Sequence, residues 1–414
     1  MRTEKGDIMK LGTRRTILSG LGMAAAACLL CAALAGGQTA PRAQAAPGGQ
    51  AKPAVQRAPA PKPLMAEDFF KNVQVLKGIP VDEFMGTMGF FAAALSLNCT
   101  DCHVQGALTD WSKFADDTPL KQTTRKMVLM VRRINQTDFG GANEVTCYTC
   151  HRSSDTPKFI PSLTEQYGVV PDVDPNEVKS GGDALAPGGL SAAQILEKYI
   201  QAVGGAQRLA SMTSLVAKGT YQGFDTADYM IPVEVYAKAP AQRTTIAHIP
   251  VGEGGTTKDF TTAFDGRNGW IDARNTLVPL ITMTGGNLDG AKVDAELCFP
   301  GQIKQALTNW RADFPETSID GHPIRIVQGT SGKSQVKLYF DKASGLLVRQ
   351  LRYASTVVGL NPTEVDYSDY RDVSGIKVPF HWVLSWTDGQ STFDMTDVQL
   401  NAPIDAAKFA KPTP

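Results

Sequence analysis

The sequence predicts a chain in two parts, a short all-α segment followed by a larger, mainly antiparallel β region with about two helices packed on it. Three observations carry this. Residues 65–165 hold two amphipathic helical patterns and four of the seven cysteines. Residues 166–190 shift to Val-Pro-Asp-Val-Asp-Pro and then to Gly-Gly and Pro-Gly-Gly, which reads as a linker. From Ser191 to about 410 short alternating segments recur between Asp-, Asn- and Gly-rich turns. The 414 residues suffice for roughly two to three domains. A hydrophobic fraction of 43% excludes wholesale disorder. The balance of 41 basic against 41 acidic side chains gives no support for nucleic-acid binding or polybasic membrane adhesion. Seven cysteines are too few for a disulfide-built scaffold.

Residues 1–45 read as an export signal. A basic stretch ends in Thr13-Arg14-Arg15-Thr16, an apolar run extends from Ile17 to about Ala35, and Ala43-Gln44-Ala45 fits a small-x-small cleavage site. Cys28 and Cys31 lie in the apolar run and leave with it, since neither sits in a good lipobox. The Arg-Arg pair hints weakly at a twin-arginine route. An uncleaved anchor is the alternative, because the run is just long enough to span a membrane. Cleavage removes six basic residues (Arg2, Lys5, Lys10, Arg14, Arg15, Arg42) and two acidic ones (Glu4, Asp7), leaving a mildly acidic exported chain with a net charge of −4. Residues 46–64, rich in Pro, Ala and Gly, form an extended tether.

In the α segment a first helix is expected from about Val81 to Leu97, with Phe84, Met85, Met88, Phe91 and Leu95 on its apolar face. A second is expected from Pro119 with Thr118 as its cap. Leu120, Met127, Met130, Val131 and Ile134 share one face of it, and Lys121, Arg125, Arg132 and Arg133 point away. In the β region a helix begins at Ser191, where Gln194 completes a capping box, buries Ile195, Leu196, Tyr199, Ile200 and Val203, and stops at Gly204-Gly205. Val336, Leu338 and Phe340 alternate with Lys337 and Tyr339 in a strand. Asp341–Gly345, Asp265–Gly269 and Asp372–Gly375 are turns between strands, and a second helix is expected at about 293–310.

The chemistry is concentrated in Cys99-Thr-Asp-Cys102-His103 and Cys147-Tyr-Thr-Cys150-His151. Cys-x-x-Cys-His is the c-type haem attachment pattern. Two thioethers and the adjacent imidazole must reach one macrocycle from a single helical turn, which the spacing allows. Disulfides, a Cys₄ zinc site and a thiol redox pair are the competing readings, but none requires a histidine directly after both pairs. The motifs therefore predict two covalently bound haem c groups, with Cys99, Cys102, Cys147 and Cys150 as thioether donors and His103 and His151 as iron ligands. The other histidines, His248, His322 and His381, are isolated along the chain and read as structural, and Cys298 reads as a buried thiol. Bis-histidine ligation within 65–165 is thus unavailable. Methionine is the natural sixth ligand, with Met85, Met88, Met127 and Met130 as candidates, and two of these four are expected to be core filler. Arg125, Arg133 and Arg152 are candidates to pair with haem propionates or to form a solvated basic face. Trp111 and Phe90 are candidates for a haem edge or for the core.

Residues 72–159 resemble two successive haem segments of the tetrahaem cytochrome subunit of photosynthetic reaction centres. The stretches that carry the resemblance are Asn72–Leu76, Phe84-Met85-Gly86-Thr87-Met88, Cys99–His103, Arg125–Met130, Arg133-Ile134-Asn135 and Val145–Arg152. The resemblance implies a helix bearing an axial methionine before each attachment motif, which selects Met88 for the first haem and Met127 for the second. It covers about 90 residues and two of that family's four haems. With both axial positions filled, the expected activity is outer-sphere electron transfer, exchanged with periplasmic or membrane-bound donor and acceptor proteins, and not catalysis. A dihaem peroxidase is the enzyme alternative, and a lipid or quinone carrier with haem redox centres is the third reading. In the β region Phe264–Trp270, Leu338–Asp341 and Ile376–Phe380 resemble the periplasmic lipoprotein-sorting-like family. That resemblance implies a curved antiparallel half-barrel closed by helices, with an apolar cavity for a hydrophobic ligand or partner.

Overall fold

The computed structural model describes residues 62–168, 174–177, 189–223, 226–251, 256–273, 276–312 and 317–412. The expected export signal and nearly all of the tether lie outside them. Residues from Pro59 onward form one compact unit. Its helices run α1 (Ala66–Phe69), α2 (Val81–Leu95), α3 (Cys99–Cys102), α4 (Pro119–Asp138), α5 (Cys147–His151), α6 (Leu163–Tyr167), α7 (Ala192–Ala202) and α8 (Ala206–Ala210). Six strands follow: β1 (Ser214–Gly223), β2 (Ile231–Lys238), β3 (Gln242–Val251), β4 (Thr256–Phe264), β5 (Gly269–Ala273) and β6 (Leu280–Thr282). After α9 (Gly285–Glu296) and α10 (Ile303–Ala306) come β7 (Thr308–Arg311), β8 (Thr317–Ile319), β9 (His322–Ser331), β10 (Ser334–Asp341), β11 (Leu347–Thr356), β12 (Gly359–Val373), β13 (Ile376–Trp386) and β14 (Gly389–Leu400).

The strands form one 14-stranded sheet in the order β6-β5-β4-β3-β2-β1-β14-β13-β12-β11-β10-β9-β7, with β8 pairing β9. It is antiparallel throughout. The expected turns are there, each fixed by a carboxylate that accepts backbone N–H groups. Asp265 takes Asn268 N at 2.6 Å, Asp341 takes Ser344 N at 2.6 Å, and Asp372 takes Gly375 N at 2.9 Å. The first and last strands of the run meet, Leu215 opposite Leu400. Helix α9 packs against β3 and β4 and also against β9, β10 and β11. Those strands lie far apart in the strand order, so the sheet must curl around the helix, and side chains from both arms meet in a single core.

The α7 helix forms as expected, with Ser191 Oγ accepting Gln194 N at 3.3 Å and Gln194 returning to Ser191 N at 2.8 Å. The second expected helix differs. It starts at Gly285 and ends at Glu296, Pro300 restarts a short helical stretch through Ala306, and Thr308–Arg311 is a strand paired with β9. Strand β10 also differs from simple alternation, because Lys337 and Tyr339 are buried along with Val336, Leu338 and Phe340. Part of the expected linker covers that second face. Lys337 Nζ donates to Asn176 O at 2.6 Å, Tyr339 Oη to Pro175 O at 3.3 Å, and Asn176 Nδ2 to Glu364.

Helix α2 is seated on the β region. Asp82 accepts from Thr284 N and Oγ1, both at 2.7 Å, and from Asn287 Nδ2 at 3.0 Å. It thereby caps α9, whose own N-cap, Thr284, makes no side-chain bond to the helix backbone. Asn361 Nδ2 donates to Gly86 O at 2.7 Å. Gly89 lies so close to the β13–β14 turn that a Cβ there would stand 2.9 Å from Asp388 Oδ1 and Thr387 Oγ1. This seating changes the expected helix face. The side chains packed against protein are Val81, Asp82, Thr87, Phe90 and Ala94, whereas Phe84, Met88, Phe91 and Leu95 are half-buried and Met85 is exposed.

Candidate functional site

Both attachment motifs are short helices that start at a reciprocal cap. In α3, Asn98 Oδ1 accepts Thr100 N at 2.9 Å while Asp101 Oδ2 accepts Asn98 N at 2.8 Å. In α5, Thr146 Oγ1 accepts Thr149 N at 3.3 Å and Thr149 Oγ1 accepts Thr146 N at 3.0 Å. Capping holds a helical turn that would be marginal alone. Each pair of cysteines, three residues apart, is therefore presented from one turn, with its histidine at the C-terminal end.

Helix α4 fixes where both turns stand. At its N-terminus Thr118 Oγ1 accepts Lys121 N at 3.2 Å and donates to Cys102 O at 2.6 Å. Near its C-terminus Asn135, 4% exposed, donates Nδ2 to Val145 O at 2.8 Å and accepts Val145 N at 2.9 Å, directly ahead of the second motif. Motif reading missed the roles of Thr118 and Asn135. Thr118 was visible as a cap, and the doubly bonded Asn135 had no local sequence signal.

The two imidazoles are held alike. His103 Nδ1 lies 3.2 Å from Phe114 O, and His151 Nδ1 lies 2.9 Å from Ser154 O. A carbonyl only accepts, so Nδ1 carries the proton and the lone pair is on Nε2. The Phe114 ring also meets the His103 ring edge-on at 4.8 Å. Burial, followed by the nearby Lys121 ammonium, holds His103 below the ordinary imidazole value. Burial pushes the Cys102 and Cys147 thiols up. No disulfide pairs the four motif cysteines, and among the described residues no group of three or more His, Cys, Asp or Glu is placed to share a metal ion.

The four methionines separate by exposure. Met88 and Met127 are half-buried, while Met85 is 37% exposed and Met130 36%. Met88 packs against the cluster that includes Phe90, Ala94 and Val128, as does Cys147. The buried side of α4 is Val128, Val131 and Asn135, and Leu120 is exposed instead of sharing it. Two of the expected outward cations turn in. Arg125 pairs with Asp117 at 2.7 Å, and Lys121 Nζ donates to Phe114 O at 3.0 Å and Asp116 O at 2.6 Å. Arg133 and Arg152 are exposed, Trp111 is exposed, and Phe90 sits in the core against Gly359.

The donor set fits a covalently held porphyrin. Each motif supplies two thiols from one turn and an imidazole whose Nε2 keeps its lone pair. Apolar side chains such as Trp111, Tyr148, Met85 and Leu129 are exposed in the same segment.

A second feature lies in the β region. A cavity of ≈ 480 Å³ opens inside the curled sheet, with Leu215, Val235, Phe260, Leu384 and Phe393 among its apolar walls and Arg243, Asp294 and Cys298 among its polar ones. Its size falls in the usual range for small-molecule sites. Of the isolated histidines, His248 and His381 make cross-strand pairs with Asp259 (2.7 Å) and Asp394 (2.6 Å), and His322 begins β9.

Residues 13–177 match the sequence model of the family described as photosynthetic reaction centre cytochrome C subunit. The photosynthetic reaction center cytochrome c subunit of Thermochromatium tepidum is 39% identical over 98 residues, 23% of this chain and 23% of that protein. The corresponding subunit of Rubrivivax gelatinosus (strain NBRC 100245 / IL144) is 36% identical over 99 residues, 23% of this chain and 25% of that protein. The matches thus span about a quarter of the length of these relatives, and the resemblance read from the motifs holds for the first part of the chain. Among solved structures, a LolA superfamily protein from Nitrosomonas europaea aligns with 54% of this chain and 98% of its own, at TM-score 0.36 and 17% identity. A putative outer membrane lipoprotein-sorting protein domain from Vibrio parahaemolyticus aligns with 52% of this chain and 97% of its own, at TM-score 0.35 and 10% identity. At such scores neither likeness carries an argument about this chain. Among the described residues no helix is long and apolar enough to cross a membrane.

Proposed function

We propose that the chain is an exported electron carrier with two haem c groups, built as a cytochrome domain (65–165), a linker (166–190) and a β domain (191–410) that binds a partner or hydrophobic ligand. The observation that carries the reading is the repeated one: two Cys-x-x-Cys-His turns, each with its histidine Nδ1 held by a backbone carbonyl. Cys99 and Cys102, and Cys147 and Cys150, are the thioether donors. His103 and His151 ligate through Nε2, and the carbonyls of Phe114 and Ser154 fix ring orientation and raise ligand basicity. Met88 and Met127 are the sixth ligands, supported by the resemblance and by their partial burial beside exposed Met85 and Met130. When bound, haem with His/Met ligation supplies a one-electron couple at a higher potential than bis-histidine ligation. A haem held by both a histidine and a methionine would leave no coordination site for substrate, so these residues would hold and insulate a redox centre rather than catalyse a reaction. The partners are periplasmic or membrane-bound electron donors and acceptors.

Expression with the haem-attachment machinery of an exporting host, followed by intact mass and haem quantitation, tests the reading. The expected result is two covalent haems per chain and loss of residues up to about Ala45. A chain carrying intact thiols, or bound zinc, overturns it.

A further inference from the structure

The cavity in the β region has an unbalanced lining. Among its described residues Asp294 is the only carboxylate, whereas Arg243, Arg352 and Lys377 are cations. Asp294 is already committed: Arg352 Nη2 donates to it at 2.9 Å and Gln350 Nε2 at 2.8 Å. Arg243 faces that same carboxylate and the Cys298 thiol. One negative charge thus serves two guanidiniums inside an apolar enclosure, where unbalanced charge is costly.

A second observation points the same way. Side chains alternate along β3, so Arg243 and Thr245 line the cavity together, about 7 Å apart along the strand. Thr245 is 9% exposed, and its Oγ1 has no hydrogen-bond partner. Two of the tyrosine hydroxyls at the cavity are engaged, Tyr367 with Gln350 Oε1 at 3.1 Å and Tyr370 with Leu347 O at 2.7 Å. The cavity therefore combines a cation and an unused hydroxyl donor at one wall with Leu215, Val235, Phe260 and Phe393 on the others.

We propose that this cavity binds a single-chain amphiphile with a carboxylate headgroup, the headgroup at Arg243 and Thr245 and the alkyl chain along the apolar walls. The proposal rests on the reading of the β domain as a hydrophobic-ligand site and adds the charge of the ligand. A guanidinium takes a carboxylate through two parallel hydrogen bonds, and Thr245 Oγ1 supplies a further donor. A neutral analogue leaves both groups unpaired, which is where discrimination arises.

Titration calorimetry of the haem-loaded full chain with dodecanoate and with dodecanol tests this. Dodecanoate is expected to bind at least tenfold more tightly than dodecanol at neutral pH. Arg243→Met should abolish that preference while still binding dodecanol, and Arg243→Lys should restore part of it. Equal affinities for the two probes overturn the charge proposal and leave the apolar-cavity reading standing. Binding of neither probe overturns both. A preference that persists in Arg243→Met overturns the placement of the headgroup.

Discussion

The two regions of this molecule differ in where their cores come from. In residues 62–168 Phe90 is the only buried aromatic ring, and its cluster is small, with Ala66, Leu76, Ile79, Ala94 and Val128 as the other buried members from this region. Part of that cluster is lent by Val358 from the loop after β11. Phe69, Trp111, Phe139 and Tyr148 are exposed. The β region instead closes on its own large side chains, with Phe299, Phe340, Leu338 and Ile303 nearly inaccessible. Its interior holds a cavity whose charges, among the described residues, do not balance. The first region leaves large apolar side chains at its surface, and the second turns its own inward.

Removing an attachment site has the largest expected effect, because it takes a cofactor from the region with least core of its own. Cys147→Ser with Cys150→Ser should lower the haem content from two to one per chain, read by haem quantitation. It should also loosen the segment around α4 and α5, read by faster amide exchange there with the β region unchanged. Equal loosening of both regions would erase the contrast.

In the β region the largest effect is expected at Asp294. Asp294→Asn leaves two guanidiniums facing an uncharged group and should cost about 3 kcal/mol in denaturant unfolding. Burial pushes this carboxyl up, but Arg352 and Arg243 together with its hydrogen bonds outweigh that and hold it below the ordinary value. A depressed carboxyl stabilises fully above its unfolded value, near 3.9, and this stabilisation is lost as pH falls through the lower folded value. Acid unfolding below about pH 4 should therefore include an Asp294 component that is missing in the Asn variant.

Asn135→Ala should cost about 2 kcal/mol, since it strands the Val145 N–H and C=O together. The melting of the haem segment should drop while that of the sheet stays put. Asp82→Ala removes three bonds across the junction of the regions and should cost about 1–2 kcal/mol. A melt that splits into two transitions would show that this junction couples them. Met88→His and Met127→His should barely alter stability. Each is expected to lower the potential of one haem and to change its spectrum, and two unchanged spectra would return Met85 and Met130 to contention.

Much of this was legible in the sequence, because the devices involved are local. The caps at Thr118 and Ser191, the carboxylate-led turns and the Cys-x-x-Cys-His motifs each depend on neighbours within a few residues. Residues whose partners are remote were not legible. Asp82 looks like an ordinary acidic residue in a first helical turn, yet it caps a helix some 200 positions later in the chain. Lys337 reads as the solvent face of a strand, but the backbone of Asn176 covers it. The apolar stripe expected on α2 is real in composition, whereas the seating of Gly86 and Gly89 against the sheet turned a different side of the helix inward. The segment at 308–311 continues a helical pattern locally and becomes a strand only because β9 is there to pair with it.

The proposed carrier holds two six-coordinate haems that pass electrons without binding substrate. Spectroelectrochemical titration of the exported, haem-loaded chain, repeated under carbon monoxide, tests it most directly. The account predicts two low-spin one-electron couples in the range of His/Met ligation, with no carbon monoxide adduct on reduction. A high-spin haem that takes up carbon monoxide would contradict it and favour a peroxidase-type centre.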